Sequence, residues 1–178
     1  MIIICIFFFA FTGCSGGDIA DQVIQDNIDQ LYLVILGENT SSEINIDGLV
    51  VSNNDFDETY TDRLYKIILL QENYVETMRS ETVARLKNRI IEEGYWLLFP
   101  CNDITKVNGF AKQFGKAINL SETSFMEGYS LHYNYTQTSI QGVAHYITGR
   151  TAPDKQILNM LKRSFRDMIE RRYEDISN

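Results

Sequence analysis

FMEGYSLHYNY, residues 125–135, is the stretch on which the fold class turns. Phe125, Tyr129, Leu131, Tyr133 and Tyr135 are all odd-numbered, so in an extended chain they share one face. Met126, Ser130, His132 and Asn134 alternate onto the other. This alternation predicts a half-buried strand, and a second strand, roughly 140–148, is expected to close a hairpin with it. Tyrosine combines apolar area with a polar tip and is enriched at interfaces. Tyr129, Tyr133 and Tyr135 are therefore the candidates for docking a peptide or a partner strand. The competing reading packs this face beneath helices, with the hydroxyls at the edge of the core.

The two histidines of the chain, His132 and His145, both fall in the hairpin. A turn centred between Thr138 and Ser139 places them side by side, about 5 Å apart at Cβ. That is close enough for a shared metal, but no Cys or carboxylate is spaced to complete a ligand set. They read as ordinary sheet histidines, and no metal is assigned.

Downstream, Thr151 with Asp154 resembles a capping box, and Pro153 suits a first helical turn. Leu158, Leu161, Phe165, Met168 and Ile169 form the core face of a final helix. Lys162, Arg163, Arg166, Arg171 and Arg172 on that helix read as a solvated face, or as a contact for anionic headgroups or an acidic partner.

Upstream, Val107, Phe110, Ala111, Phe114 and Ile118 predict a helix, and the apolar run Tyr95 to Phe99 before Pro100 predicts a short buried strand. Ser80 caps a helix carrying Val83, Leu86, Ile90 and Ile91 that stops at Gly94. From Asp57, the positions Tyr60, Leu64, Ile67, Ile68, Tyr74, Val75 and Met78 predict a long helix, separate from the next or continuous with it. Asp47-Gly48 between Ile44 and Ile46 on one side and Leu49 to Val51 on the other is a hairpin signal. Asp18 is placed to cap a helix with Ile19, Val23, Ile28, Leu31 and Ile35 on one face. Gly37 ends it, although Leu31 to Leu36 also reads as a strand. The expected fold is α+β: a small antiparallel sheet with a C-terminal hairpin, covered by several amphipathic helices.

The chain opens MIIICIFFFAFTGC, residues 1–14. Its apolar run is about 10 residues, half of what a membrane span needs and within the length of a secretory h-region. The alternative, a buried core helix or N-terminal strand, requires burial on every side. This stretch resembles the signal of bacterial lipoproteins, in which a four-residue lipobox ends in an acylated cysteine. Phe11, Thr12, Gly13 and Cys14 carry the match. Phe11 stands where Leu, Val or Ile is usual, and no Lys or Arg precedes the apolar run. The resemblance covers these 14 residues alone. It implies a signal peptide over 1–13, lipid such as palmitate on Cys14 and a short tether over 14–17 with about 10 Å of reach; the length and composition of the rest, 18–178, predict a single domain.

Charge distribution agrees with export. The first Lys or Arg is Arg63, and ten acids lie in the first 60 residues. Cytoplasmic retention relies on positive flanks, and this segment has none. A net charge of −8 disfavours nucleic acid, whose phosphates need concentrated positive charge. After cleavage and acylation Cys101 has no partner, so no disulfide is expected. Cys101 follows Pro100 in a turn, with no motif that activates a thiol. Asn53, Asn54, Asp55, Asp57 and Glu58 are oxygen-rich but lack the glycine and spacing of an EF-hand loop. They read as an acidic loop entering a helix cap.

The expected role is non-catalytic. It is a lipid-anchored factor facing the periplasm or the cell exterior, binding a protein partner of the envelope, without cofactor. The alternatives are an immunity or inhibitor lipoprotein, and an envelope enzyme for which no nucleophile–base set is visible.

Overall fold

LYLVIL, YKIILL and WLLF are three nearly unbroken apolar runs, and they become the centre of the molecule. They form strands β1 (Leu31–Leu36), β3 (Tyr65–Leu70) and β4 (Trp96–Phe99). In the computed structural model, the described residues are 16–38, 44, 46–60, 62–118, 125–147 and 153–177. Strand β2 (Val50–Asn53) and the hairpin strands β5 (Phe125–Asn134) and β6 (Ser139–Ile147) complete a six-stranded sheet in the order β2-β1-β3-β4-β5-β6. The first four strands are mutually parallel, and β5 and β6 run antiparallel to their neighbours.

The architecture is thus mixed α/β, and its sheet is not the small antiparallel one expected. The C-terminal hairpin is present. The expected long helix from Asp57 is replaced by a short 3-10 turn at Glu58–Tyr60, strand β3 and the short helix α2 (Glu72–Thr77). Leu31–Leu36 is a strand, entered through a 3-10 turn from helix α1 (Gly16–Asn27). A turn does occupy Asp47-Gly48, with Gly48 at φ +82°. No hairpin follows it, because β2 pairs parallel to β1.

Both faces of the sheet are covered. On one, Tyr32, Val34, Ile68, Leu70, Leu97 and Phe99 pack with helix α3 (Ser80–Glu92) and helix α4 (Ile104–Gln113). On the other, Leu33, Ile35, Ile67, Leu69 and Leu98 pack with Ile24 of α1 and with Met160, Leu161 and Phe165 of helix α5 (Pro153–Ser177). Each large side chain fully buried this way contributes about 1.5–3 kcal/mol. Two helix ends match their local chemistry, while the cap expected at Ser80 does not form, since α3 begins at Ser80 behind Arg79 with no side-chain cap. Asp103 caps α4 by accepting from the Thr105 and Lys106 amides at 2.8 and 3.2 Å. Gly94, at φ +72°, terminates α3 in a backbone conformation that favours glycine.

The β5 alternation is broken once. Its register against β6 shifts between Met126 and Gly128, leaving Glu127 as an extra residue. Met126 therefore joins Tyr129 and Leu131 beneath α3 and α4 instead of facing away from them. Glu127, Ser130 and His132 are buried on the α5 side. The lipobox and tether over 11–15 and the capping residue Thr151 lie outside the described residues. Helix α1 begins at Gly16, two residues before the expected cap at Asp18. Among the described residues, no helix is long and apolar enough to cross a membrane.

Candidate functional site

The winding of the sheet says where a ligand crevice is to be sought. Ile44, Ile46 and Leu49, between β1 and β2, pack on the α1 and α5 face. Phe56 and Tyr60, between β2 and β3, pack on the opposite face, as do α2 and α3 between β3 and β4. The direction of winding therefore changes between β1 and β3, and parallel sheets usually bind ligands at the carboxyl ends of such strands. Here that crevice is filled. The Asn54 side chain accepts from the Gly37 amide at 2.7 Å and donates to the Gly37 carbonyl at 2.9 Å. Asn73 accepts from the Glu38 amide at 3.4 Å. A Cβ on Gly37, at φ +124°, would lie 2.5 Å from Cβ of Gln71.

The open cleft lies at the other end of the sheet, where β3 and β4 begin and β5 finishes, and encloses about 500 Å³. Tyr65 and Lys66 open β3, Trp96 opens β4, and His132 and Tyr133 close β5. Met168, Arg171 and Arg172 enter from the last turns of α5, and Arg63 from the segment before β3.

A stacked ring pair with a guanidinium beside it forms its wall. The Trp96 and His132 rings lie 4.4 Å apart at an interplanar angle of 19°. The Arg171 guanidinium sits 5.6 Å from the Trp96 centroid, and its Nη1 donates to His132 Nε2 at 3.0 Å. Arginine has no acceptor, so Nε2 carries the lone pair and the His132 proton sits on Nδ1. His132 Nδ1 is buried without a partner. Burial, then the Arg171 charge, then His145 pull the His132 pKa down to about 4.

Charge in the cleft runs against the chain as a whole. Arg63, Lys66, Arg171 and Arg172 line it, against Asp62 and Glu93. Glu93 is itself ion-paired with Arg89. Lys66 Nζ lies 5.3 Å from the Tyr95 ring centroid, and burial lowers its pKa against the opposing pull of Glu93.

A second polar group runs between the hairpin and α5. His145 Nε2 and Ser130 Oγ are 2.8 Å apart, and the wholly buried Glu127 carboxylate accepts from Arg163 Nη1 at 2.7 Å. Burial raises the Glu127 pKa, and Arg163 opposes the rise. It pulls the His145 pKa down to about 4, with Arg163 adding to the fall. A serine beside a histidine suggests a nucleophile, but Ser130 is fully buried, and a substrate has no path to it. The pair is a hydrogen bond holding the hairpin.

The sequence-derived candidates separate. Tyr129 is buried, 6.4 Å from the Phe110 ring, and is unavailable for docking. Tyr133 and Tyr135 meet edge to face at 5.0 Å beside the cleft, with Tyr135 65% exposed. The histidines are not cross-strand partners: His132 faces Gln141 and His145 faces Gly128. The turn occupies 135–138, two residues earlier than a symmetric pairing of the histidines requires. Among the described residues, no group of three or more His, Cys, Asp or Glu is placed to hold a metal. Cys101 is buried 3.4 Å from Glu72 Oε1, and burial pushes its thiol pKa up to about 12, which disfavours the reactive thiolate. Asp57 ends the oxygen-rich loop by accepting from the Thr59 amide and hydroxyl at 2.9 and 2.7 Å, as in a turn. Cys14 lies outside the described residues. The group of Trp96, His132 and Arg171 left no local trace, because its members are far apart in the chain.

In comparison with known proteins, the chain matches no family model, no curated protein and no solved structure.

Proposed function

We propose that this chain is an exported, lipid-anchored binding protein of the bacterial envelope, non-catalytic, that engages a protein partner at the Tyr133–Tyr135 end of its sheet. One observation carries the reading. An open cleft with an exposed aromatic rim stands at the amino ends of β3 and β4. Helix α1 leads through a three-residue turn into β1 and packs on the same sheet, so it runs back along that strand. Gly16, its first residue, then lies toward the carboxyl ends of the parallel strands. On this reading a lipid on Cys14, at most about 7 Å of chain before Gly16, sets the membrane toward that end and leaves the cleft and Tyr135 facing away from it.

The nucleophile candidates agree with a binding role. Ser130 and Cys101 are both buried, and neither lines the cleft. A photo-reactive residue at Tyr135 of the full chain is expected to cross-link one protein in intact cells. The same residue at Lys112, on the helical layer of α4, is expected to give no such product. Absence of a product at Tyr135 overturns the reading.

A further inference from the structure

We propose that the cleft bounded by Trp96, His132 and Arg171 is a binding pocket for a small organic anion, a carboxylate or phosphate group on an apolar body, anchored by Arg171. The proposal deepens the binding role given above and rests on that reading only for its setting.

Three features of the cleft argue for it. The first is charge. Four cations and two acids line the space, in a chain whose net charge is −8. One of the acids, Glu93, is engaged by Arg89. A cation-rich concavity on an acidic protein focuses potential for an anion and excludes other acidic surfaces.

The second is preorganisation. Arg171 is held by a cation–π contact with Trp96 and by one hydrogen bond to His132. That bond uses one of five N–H donors and, with the Trp96 contact, restricts the guanidinium while leaving donors free. A carboxylate or phosphate meeting a fixed fork loses less entropy than one meeting a mobile side chain. His132 serves this positioning role as a neutral acceptor.

The third is size and lining. A volume of about 500 Å³ lies in the range of small-molecule sites, well beyond what a bare oxyanion fills. Met168, the half-exposed Leu64 and the Tyr133–Tyr135 pair offer apolar surface for the remainder of the ligand.

The test uses the full chain in non-ionic detergent at neutral pH. Trp96 is the one tryptophan of the chain, so its indole N–H gives a single reporter resonance in the wall of the cleft. The probes are benzoate, phenyl phosphate, inorganic phosphate and uncharged benzamide. Either benzoate or phenyl phosphate is expected to shift the resonance saturably, and the tighter of the two identifies the head group. Inorganic phosphate should bind at least about tenfold more weakly than that probe, and benzamide likewise, for loss of a charged hydrogen-bond anchor. Arg171→Met should cost about tenfold or more in affinity, and Arg171→Lys should restore part of it. Arg172→Gln leaves the stack untouched and should weaken binding about threefold, keeping the proposal open to test if Arg171→Met does not fold.

Benzamide binding as tightly as benzoate would overturn anion recognition. Inorganic phosphate equalling phenyl phosphate would overturn the organic body, and no saturable shift with any anion would overturn the site itself. Cross-linking from Tyr135 is independent of these titrations, so loss of the anion pocket and loss of the partner-binding reading are told apart.

Discussion

Acidification from pH 7 to pH 5 should destabilise this protein through its two buried histidines. Both imidazoles are buried, and both have pKa values lowered to about 4, from an unfolded value near 6.5. The sign follows from proton counting. Between these two values the unfolded chain binds more protons than the native one, so stability rises with pH and falls as pH is lowered. At pH 5 an unfolded histidine is almost fully protonated, while a native one is about one-tenth protonated. Each imidazole then withdraws about 2 kcal/mol, and the pair about 4 kcal/mol. Below pH 4 the histidine contribution levels off. Glu127 and Asp167 work the other way, since burial raises both of their pKa values, so they soften the fall. Urea denaturation at pH 7, 6 and 5 measures the slope. His145→Gln retains a hydrogen-bonding partner for Ser130 and should remove about half of it. NMR titration of the two imidazoles supplies the pKa values directly. Stability that is flat between pH 7 and pH 5, or imidazole midpoints near 6.5, would refute the placement of these histidines between the hairpin and α5.

Other substitutions test other parts of the fold. A Cβ at Gly142 would overlap the Tyr129 hydroxyl, so Gly142→Ala should cost about 1–3 kcal/mol in a denaturant melt. An unchanged melt would show that Tyr129 does not cover β6. Leu131→Ala should cost about 2–5 kcal/mol. Ser130→Ala, on the opposite face, should cost about 1–3 kcal/mol because it leaves buried His145 without its 2.8 Å partner; a negligible effect would place that face in solvent. Cys14→Ser should abolish acylation and partition into detergent, read by intact mass and phase separation. A mature protein with an unmodified N-terminus would end the anchor assignment.

Legibility in the sequence followed burial. β5 was legible because a half-buried strand alternates, and α3 and α5 because helices packed on one side show a 3.6-residue stripe. β3 was hidden by being buried on both faces, and for the same reason β1 could be read either as a strand or as the end of a helix. A central parallel strand is a continuous apolar run with no period of its own. Ile67 and Ile68 therefore merged with Tyr60 and Leu64 into an apparent helical face. The bulge at Glu127 was hidden as well, and it moved Met126 across the sheet. Of the site, the exposed tyrosines were visible as a pattern. From the sequence Arg171 reads as one cation of a solvated face or of a contact with an acidic partner or headgroup, because nothing local to α5 reveals that Trp96 and His132 converge beside it.

The two ends of the sheet have opposite physical character, and this bears on how a small domain divides its tasks. At the carboxyl ends of β1 and β3, side-chain amides of Asn54 and Asn73 satisfy the backbone of residues 37–38 and close the usual ligand crevice. At the amino ends of β3 and β4 the sheet is left open, and cations gather there from segments far apart in sequence. The first 62 residues, which form α1, β1 and β2, contribute no cation at all. That acidic part of the chain lies next to the proposed anchor, where an anionic bilayer would repel it. Repulsion of the acidic end and attraction of the cationic cleft both act to turn the open end toward an anionic lipid surface. A short tether at the acidic end opposes that turn. Raising ionic strength screens both charge terms, with a Debye length of about 10 Å at 0.1 M salt. Accessibility of Tyr135 to a soluble quencher on vesicles of anionic lipid should therefore rise as salt rises. Accessibility that does not change with salt would show that packing, and not charge, sets the orientation.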